Sequence, residues 1–198
     1  MKSFLLGLFD LLKLLVIVVV VAFILRYFVM QPFVVEGQSM EPNFHDNELL
    51  IVEKVSYLLR SPQRGDVIVF RFPGSPNLNY IKRIVGIPGD NVSIHDGAVF
   101  VNGRQMQESY LGGVETFAPS FSRVEETALG SNEFFVLGDN RAHSSDSREW
   151  GVVPRLNIVG RAFLVILPVD DFGLVPHGAV KLDSFTLLPA ASVPKFVQ

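Results

Sequence analysis

The chain contains no cysteine. Disulfides, thiolate metal sites, iron–sulfur clusters and thiol catalysis are thereby excluded, and no compartment is favoured by redox chemistry. Charge is scarce: Asp, Glu, Lys and Arg make up 19% of the 198 residues, below the roughly 25% of soluble domains. With 48% hydrophobic residues the chain is not a disordered one, which needs the opposite balance. Basic residues are not in excess either, since 17 Lys and Arg face 20 Asp and Glu for a net charge of −3. A nucleic-acid partner is not expected, because neutralising phosphates needs a positive surface. Internal repeats, low-complexity tracts and, after residue 31, long amphipathic helical patterns are all missing. At this length one domain of ordinary size is expected.

What is abundant is apolar residues near the start. Leu14 to Leu25 reads LLVIVVVVAFIL, and apolar residues continue on both sides of it. The run is apolar on every face, unlike the one-sided stripe of a helix packed on a soluble core. A membrane anchor over Leu11 to Met30 is expected, with Lys13 and Arg26 snorkelling to the interfaces and Asp10 spaced to pair with Lys13. A cleaved secretory signal would need small residues just after the run, and Tyr27 to Pro32 supplies none. Lys2, Lys13 and the amino terminus precede the span while Arg26 follows it, so the N-terminus is expected in the cytoplasm and the rest outside the cell membrane. The expected organisation is a stub and single anchor over 1–31, a β domain over 32–182 and a tail over 183–198.

Beyond Pro32 the pattern becomes short β-branched and aromatic runs between turn residues. Leu49–Lys54, Val67–Phe72, Tyr80–Ile87, Asn91–His95, Val99–Val101, Phe134–Leu137 and Ile158–Leu167 read as strands. Asp96-Gly97 is a hairpin signal, and Arg64-Gly65-Asp66 and Pro88-Gly89-Asp90 read as turns. The fold class expected is mostly β, a folded antiparallel sheet or barrel-like domain. Residues 108–132 read as a surface loop or small insertion, and the tail as extended or poorly ordered.

Three clusters concentrate polar and glycine residues. Gly37-Gln38-Ser39-Met40 places a serine on a turn, without the second glycine of a nucleophile elbow. On its own this is ordinary turn chemistry. Lys82 lies in Tyr80-Ile81-Lys82-Arg83-Ile84-Val85, where alternation puts Tyr80, Lys82 and Ile84 on one face. Such a lysine is either a rim residue with its amine in water or a desolvated amine of lowered pKa, able to act as a base. Asp139 to Gly151 holds Asp139, Arg141, His143, Ser144, Asp146, Arg148 and Trp150, the one tryptophan. It reads as a salt-bridged surface turn or as a loop that orients reactive groups. Asp139, His143 and Asp146 lack the further His or carboxylate of a recognisable metal set, so no metal and no cofactor is expected.

Taken together and in order, these stretches resemble the type I signal peptidases, membrane-anchored serine proteases that remove signal peptides from exported proteins. The resemblance runs over roughly residues 1 to 168, through Gly37–Pro42, Arg64–Phe70, Tyr80–Asp90 and Leu137–Arg141 with Ser144, Asp146-Ser147-Arg148 and Trp150-Gly151. It implies a Ser/Lys dyad, with Ser39 as nucleophile and Lys82 as general base. It further implies Ser144 orienting the lysine, an apolar setting from Tyr80, Ile84 and Met40, and Asp139, Arg141, Asp146 and Arg148 as structural ion pairs. Gly37 stands where some relatives carry a hydroxyl, so backbone N–H groups near Ser39 would hold the oxyanion. His143 has no role in the pattern. The implied substrate is an extended preprotein segment with small residues at the first and third positions before the cut, bound by strand addition. Phe33, Val34, Val35, Met40 and Phe44 would rest on the bilayer surface, and the protein would act as a monomer.

Two other Ser/Lys hydrolases fit less well. A self-cleaving repressor type would need a DNA-binding head. Ser192-Val193-Pro194-Lys195 matches S-x-x-K, but Pro194 is incompatible with the helix that motif requires. The non-enzymatic alternative is a membrane-tethered β module that binds extended peptides without cutting them.

Overall fold

The structure is a computed structural model that describes residues 2–24, 29–118, 126–176 and 180–182. Helix α1 (Lys2–Ile24) comes first, and every described side chain from 7 to 23 is exposed. Among the described residues no helix is long and apolar enough to cross a membrane. The chain then enters strands β1 (Met30–Val34) and β2 (Leu49–Glu53), a helical turn α2 (Ser56–Leu59), and strands β3 (Val67–Phe72), β4 (Ser75–Gly86), β5 (Asn91–His95), β6 (Ala98–Val101) and β7 (Arg104–Gln107). After these come β8 (Glu126–Ala128), β9 (Glu133–Leu137), α3 (Ser147–Trp150), β10 (Val153–Pro154), β11 (Ile158–Leu167), β12 (Gly173–Leu174) and β13 (Lys181–Leu182).

Every pairing is antiparallel. The larger sheet has the order β1-β2-β11-β3-β4-β9-β10, with β12 added to β11, and the smaller has the order β13-β7-β6-β5-β8. β3 is central and covered on both faces. Val67 packs with Val35, Met40, Phe44 and Leu50, whereas Ile68 and Phe70 pack with Tyr57, Ile84, Phe134 and Val136. That explains why it reads as a continuous apolar run instead of an alternating one. The smaller sheet packs Val92, Val99 and Val101 onto Val85, Phe135 and Leu137 of the larger. A Cβ at Gly86 would collide with Val92 and Leu129, so glycine permits that close packing.

Two of the turns read from the sequence are fastened to each other. Arg64 bonds the Asp90 carboxylate at 2.5 Å and the Val85 carbonyl at 3.0 Å, while Asp90 accepts from the Ile87 N–H at 2.8 Å. Asp66 accepts from Tyr57, Arg60 and the Gln63 N–H, each at 3.0 Å. At the hairpin, Asp96 and Gly97 have φ of +50° and +74°, as a tight two-residue turn with the twist of its strands requires.

The structure corrects three expectations. In β1, Met30 already pairs with Glu53, so the span expected over Leu11 to Met30 does not reach Met30. β1 lies at a sheet edge, where Pro32 can sit without a missing ladder donor. Val35, Met40 and Phe44 are not surface residues resting on a bilayer, since all three are buried in the core between β2, β3 and β11. Of the two readings of residues 108–132, a surface loop or a small insertion, the bare surface loop is corrected: Leu111, Thr116 and Leu129 are buried and β8 pairs with β5. Residues 119–125, 183–198 and Arg26 lie outside the described residues.

Candidate active site

The serine is held by a loop closed at its base. The Val35 N–H donates to the Glu48 carbonyl at 2.8 Å, and the Asn47 N–H donates back to the Val35 carbonyl at 2.8 Å. Within the loop, the Gly37 N–H donates to Asp46 Oδ1 at 2.7 Å, and Gly37 has φ of +88°. A side chain there would be strained whatever space it found, so this glycine is demanded by the backbone. Met40 and Phe44 plug into the core on either side of the Phe44 N–H to Met40 carbonyl bond of 3.0 Å. Ser39, next to the fully buried Met40, is left half-exposed.

Lys82 comes from the middle of β4, opposite Ile68 of β3. It is 4% exposed, and its Nζ lies 2.7 Å from Ser39 Oγ and 5.5 Å from the centroid of the Tyr80 ring. Burial pushes the amine down from 10.5 to about 8. The Asp146 and Asp139 charges oppose that shift and Arg148 reinforces it, so desolvation wins.

The loop after β9 clamps this pair from outside. The Asn140 N–H donates to the Ser39 carbonyl at 3.0 Å, and Asn140 Nδ2 donates to the Gln38 carbonyl at 3.0 Å. A Cβ at Gly138 would overlap both Ser144 Oγ and the Ser39 carbonyl, so glycine is what lets the two loops meet. Asp146 is fully buried; it accepts from Arg148 Nε and Nη2 at 2.8 Å each and from the Gly138 N–H at 3.0 Å. Bidentate pairing of this kind fixes orientation as well as charge.

Ser39, Lys82, Tyr80, Met40, Gly37 and Ser144 are thus gathered at one place, with two departures from the sequence reading. Asp139 and Arg141 do not pair with each other. Asp139 accepts from Arg83 Nε and Nη2 at 2.9 and 2.6 Å and from Asn43 at 2.9 Å, while Arg141 pairs with Glu108 and bonds Thr116. The reason is reach: strand β4 and the 108–116 segment both pack against this loop and bring partners that local spacing could not reveal. Second, the Ser144 hydroxyl is buried and makes no hydrogen bond in the protein, so the expected bond to Lys82 is not formed in this arrangement. His143 is exposed. Arg83, Asn43, Gly138 and Asn140 were missed, although Gly138 and Asn140 lie in the Leu137–Arg141 stretch already singled out.

Ser39 and Lys82 line a groove of about 460 Å³. Phe33 to Glu36 line it on the β1 side and Asn77 to Ile81 on the β4 side. A half-exposed hydroxyl, a desolvated amine of lowered pKa at hydrogen-bond distance and an open groove between strand edges are the parts needed for acyl transfer to serine.

Comparison with known proteins points the same way. Residues 8–167 match the family described as signal peptidase, peptidase S26. A probable signal peptidase I of Synechocystis sp. is 38% identical over 172 residues, 84% of this chain and 77% of that protein. A signal peptidase I of Leptolyngbya laminosa is 40% identical over 162 residues, 78% of this chain and 77% of its own length. The crystal structure of a signal peptidase I from Enterococcus faecalis aligns with a TM-score of 0.45 at 31% identity, covering 52% of this chain and 97% of that one. The chain belongs to the signal peptidase family, peptidase S26.

Proposed function

We propose that this serine peptidase removes signal peptides from exported preproteins, with Ser39 as nucleophile and Lys82 as general base. The observation that carries the reading is the 2.7 Å approach of Lys82 Nζ to Ser39 Oγ at a lysine only 4% exposed. In its neutral form the amine takes the hydroxyl proton as Oγ attacks the scissile carbonyl, then gives it to the leaving amine as the acyl-enzyme forms. A water repeats the exchange: Lys82 accepts its proton, the ester is hydrolysed and Ser39 is restored. The oxyanion is held by backbone donors, since residue 37 has no side chain. The Ser39 N–H serves here; among the described residues no protein acceptor takes it.

The preprotein lies in the groove as an extended strand between the Phe33–Glu36 and Asn77–Ile81 edges, with small residues at the first and third positions before the cut. The family is membrane-anchored, and the apolar run Leu14 to Leu25 is the anchor we assign to this chain from its sequence. It crosses once, with the N-terminus in the cytoplasm and the β domain outside, and the protein acts as a monomer. A non-cutting binding module is disfavoured, because nothing in peptide binding calls for a desolvated lysine against a serine.

The test is incubation of the full chain in detergent with a preprotein bearing an Ala-x-Ala site, beside Ser39→Ala and Lys82→Ala variants checked for folding. Cleavage after the second Ala, lost in both variants, is expected. Cleavage that survives Lys82→Ala would overturn the mechanism, and no cleavage by the wild type would overturn the function.

A further inference from the structure

Six carboxylates are buried among the described residues, and five of them meet an arginine: Glu53 with Arg161, Asp66 with Arg60, Asp90 with Arg64, Asp139 with Arg83 and Asp146 with Arg148. Glu48 is the sixth. Its side chain is 2% exposed, its one ionic neighbour is His45, with Nδ1 3.0 Å from Oε1, and its Oε2 meets no protein donor. A carboxylate so buried and half-matched is costly unless something supplies positive charge. Asp171, from the turn after β11, reaches toward the same point, with Oδ2 3.9 Å from His45 Nδ1. One donor atom from each of the three residues lies within 4.8 Å of the others.

We propose that His45, Glu48 and Asp171 bind one divalent cation of the zinc class. Imidazole nitrogen and carboxylate oxygen are both zinc ligands, and three such donors leave the fourth tetrahedral position to water. Two carboxylates and a neutral imidazole balance a charge of two. Tetrahedral bonds of about 2.1 Å place donors about 3.4 Å apart, between the 3.0 and 3.9 Å seen around His45. His45 and Asp171 are 54% and 41% exposed and free to make the small adjustment. Calcium is a poor match, since it seeks six to eight oxygens. Glu48 closes the loop that carries Ser39, through the bond from the Val35 N–H to its carbonyl. The cation would therefore tie the serine loop to the end of β11, as a positioning element and not as part of the Ser39–Lys82 chemistry.

The test is zinc chloride titration of the chelator-stripped full chain in detergent, followed by calorimetry and thermal unfolding. Wild type is expected to take up one zinc per chain with a rise in Tm. His45→Ala and Asp171→Asn, both changes at exposed side chains, are expected to bind at least tenfold more weakly and lose the rise. Asp171→Glu keeps a carboxylate and is expected to retain uptake, which separates ligand loss from misfolding. No uptake by wild type, or equal uptake by wild type and the first two variants, overturns the site.

Discussion

Lys82 and Arg83 are consecutive residues of β4, both buried cations, pointing to opposite faces of one strand. Arg83 is matched on every side: it holds Asp139 with two bonds, donates to the Gly65 carbonyl at 3.1 Å and lies 4.1 Å over the Tyr110 ring. Lys82 has one hydroxyl and one ring. The arginine is held by these partners and serves the fold. The lysine is desolvated without a contacting carboxylate, so its charge is the expensive form and its neutral form becomes accessible near pH 8. One β-strand thus carries a structural cation and, in the proposed mechanism, a reactive one, and the difference between them lies in what the neighbouring loops bring to each face.

The largest effect that tests this contrast is Lys82→Met. Loss of the general base is expected to lower cleavage by about 10² to 10⁴-fold, measured as initial rates on a preprotein. The same change is expected to stabilise the protein at pH 7, because it removes a buried ammonium. The sign follows from linkage. Folded Lys82 titrates at about 8 and the unfolded lysine at 10.5. Below 8 both states are protonated and the full penalty applies, on the order of 3 kcal/mol. Between 8 and 10.5 the unfolded chain binds more protons, so stability rises with pH until the penalty is gone. Unfolding of wild type and variant at pH 7 and at pH 10.5 is expected to show the gain only at pH 7.

Arg83→Met is the mirror experiment. It leaves Asp139 buried and unpaired, which is expected to cost about 3–5 kcal/mol, read by thermal or denaturant unfolding. Replacing Asp139 with Leu in the same chain is expected to restore part of that loss. Equal stability changes for the Lys82 and Arg83 variants would erase the contrast. A finer probe is the pH profile of cleavage. Activity is expected to rise tenfold per pH unit on the acid side and level off through about 8 as Lys82 loses its proton. Lys82→Arg, whose charge cannot be removed, is expected to stay inactive across the range.

Why Ser39 and Lys82 could be named from the sequence, while their supports could not, follows from distance along the chain. Strand identity was legible because β3, β5 and β11 carry β-branched runs between turn residues, and Asp96-Gly97 fixes its own hairpin. The site residues became legible only through the order of four short motifs, since neither a serine on a turn nor a lysine on a strand is specific alone. The rest depends on contacts between segments far apart in sequence. Asp139 finds Arg83, and Arg141 finds Glu108, across separations of 56 and 33 residues. β1 was hidden because its apolar residues continue the run before it, and Val35, Met40 and Phe44 looked like surface apolar residues until the loop folded over β2 and β3. The Glu48 carboxylate gave no signal, because a single Glu in a turn says nothing about burial.

Ser144 is where the contrast between the two faces is sharpened most finely. Its hydroxyl is buried beside the serine loop, yet it is unbonded within the protein. An unmatched buried hydroxyl carries a desolvation penalty of about 1–3 kcal/mol, so Ser144→Ala is expected to raise stability by about 1 kcal/mol. If the hydroxyl turns toward the Lys82 amine once a peptide fills the groove, the same change removes one hydrogen bond from the reacting state. At about 1 kcal/mol per bond that lowers kcat about fivefold and leaves KM unchanged. A more stable and slower enzyme identifies Ser144 as a positioning residue whose partner arrives with substrate. A more stable enzyme of unchanged kcat would leave Lys82 oriented by Ser39 and Tyr80 alone, and would make the reactive face of β4 simpler than the resemblance implied.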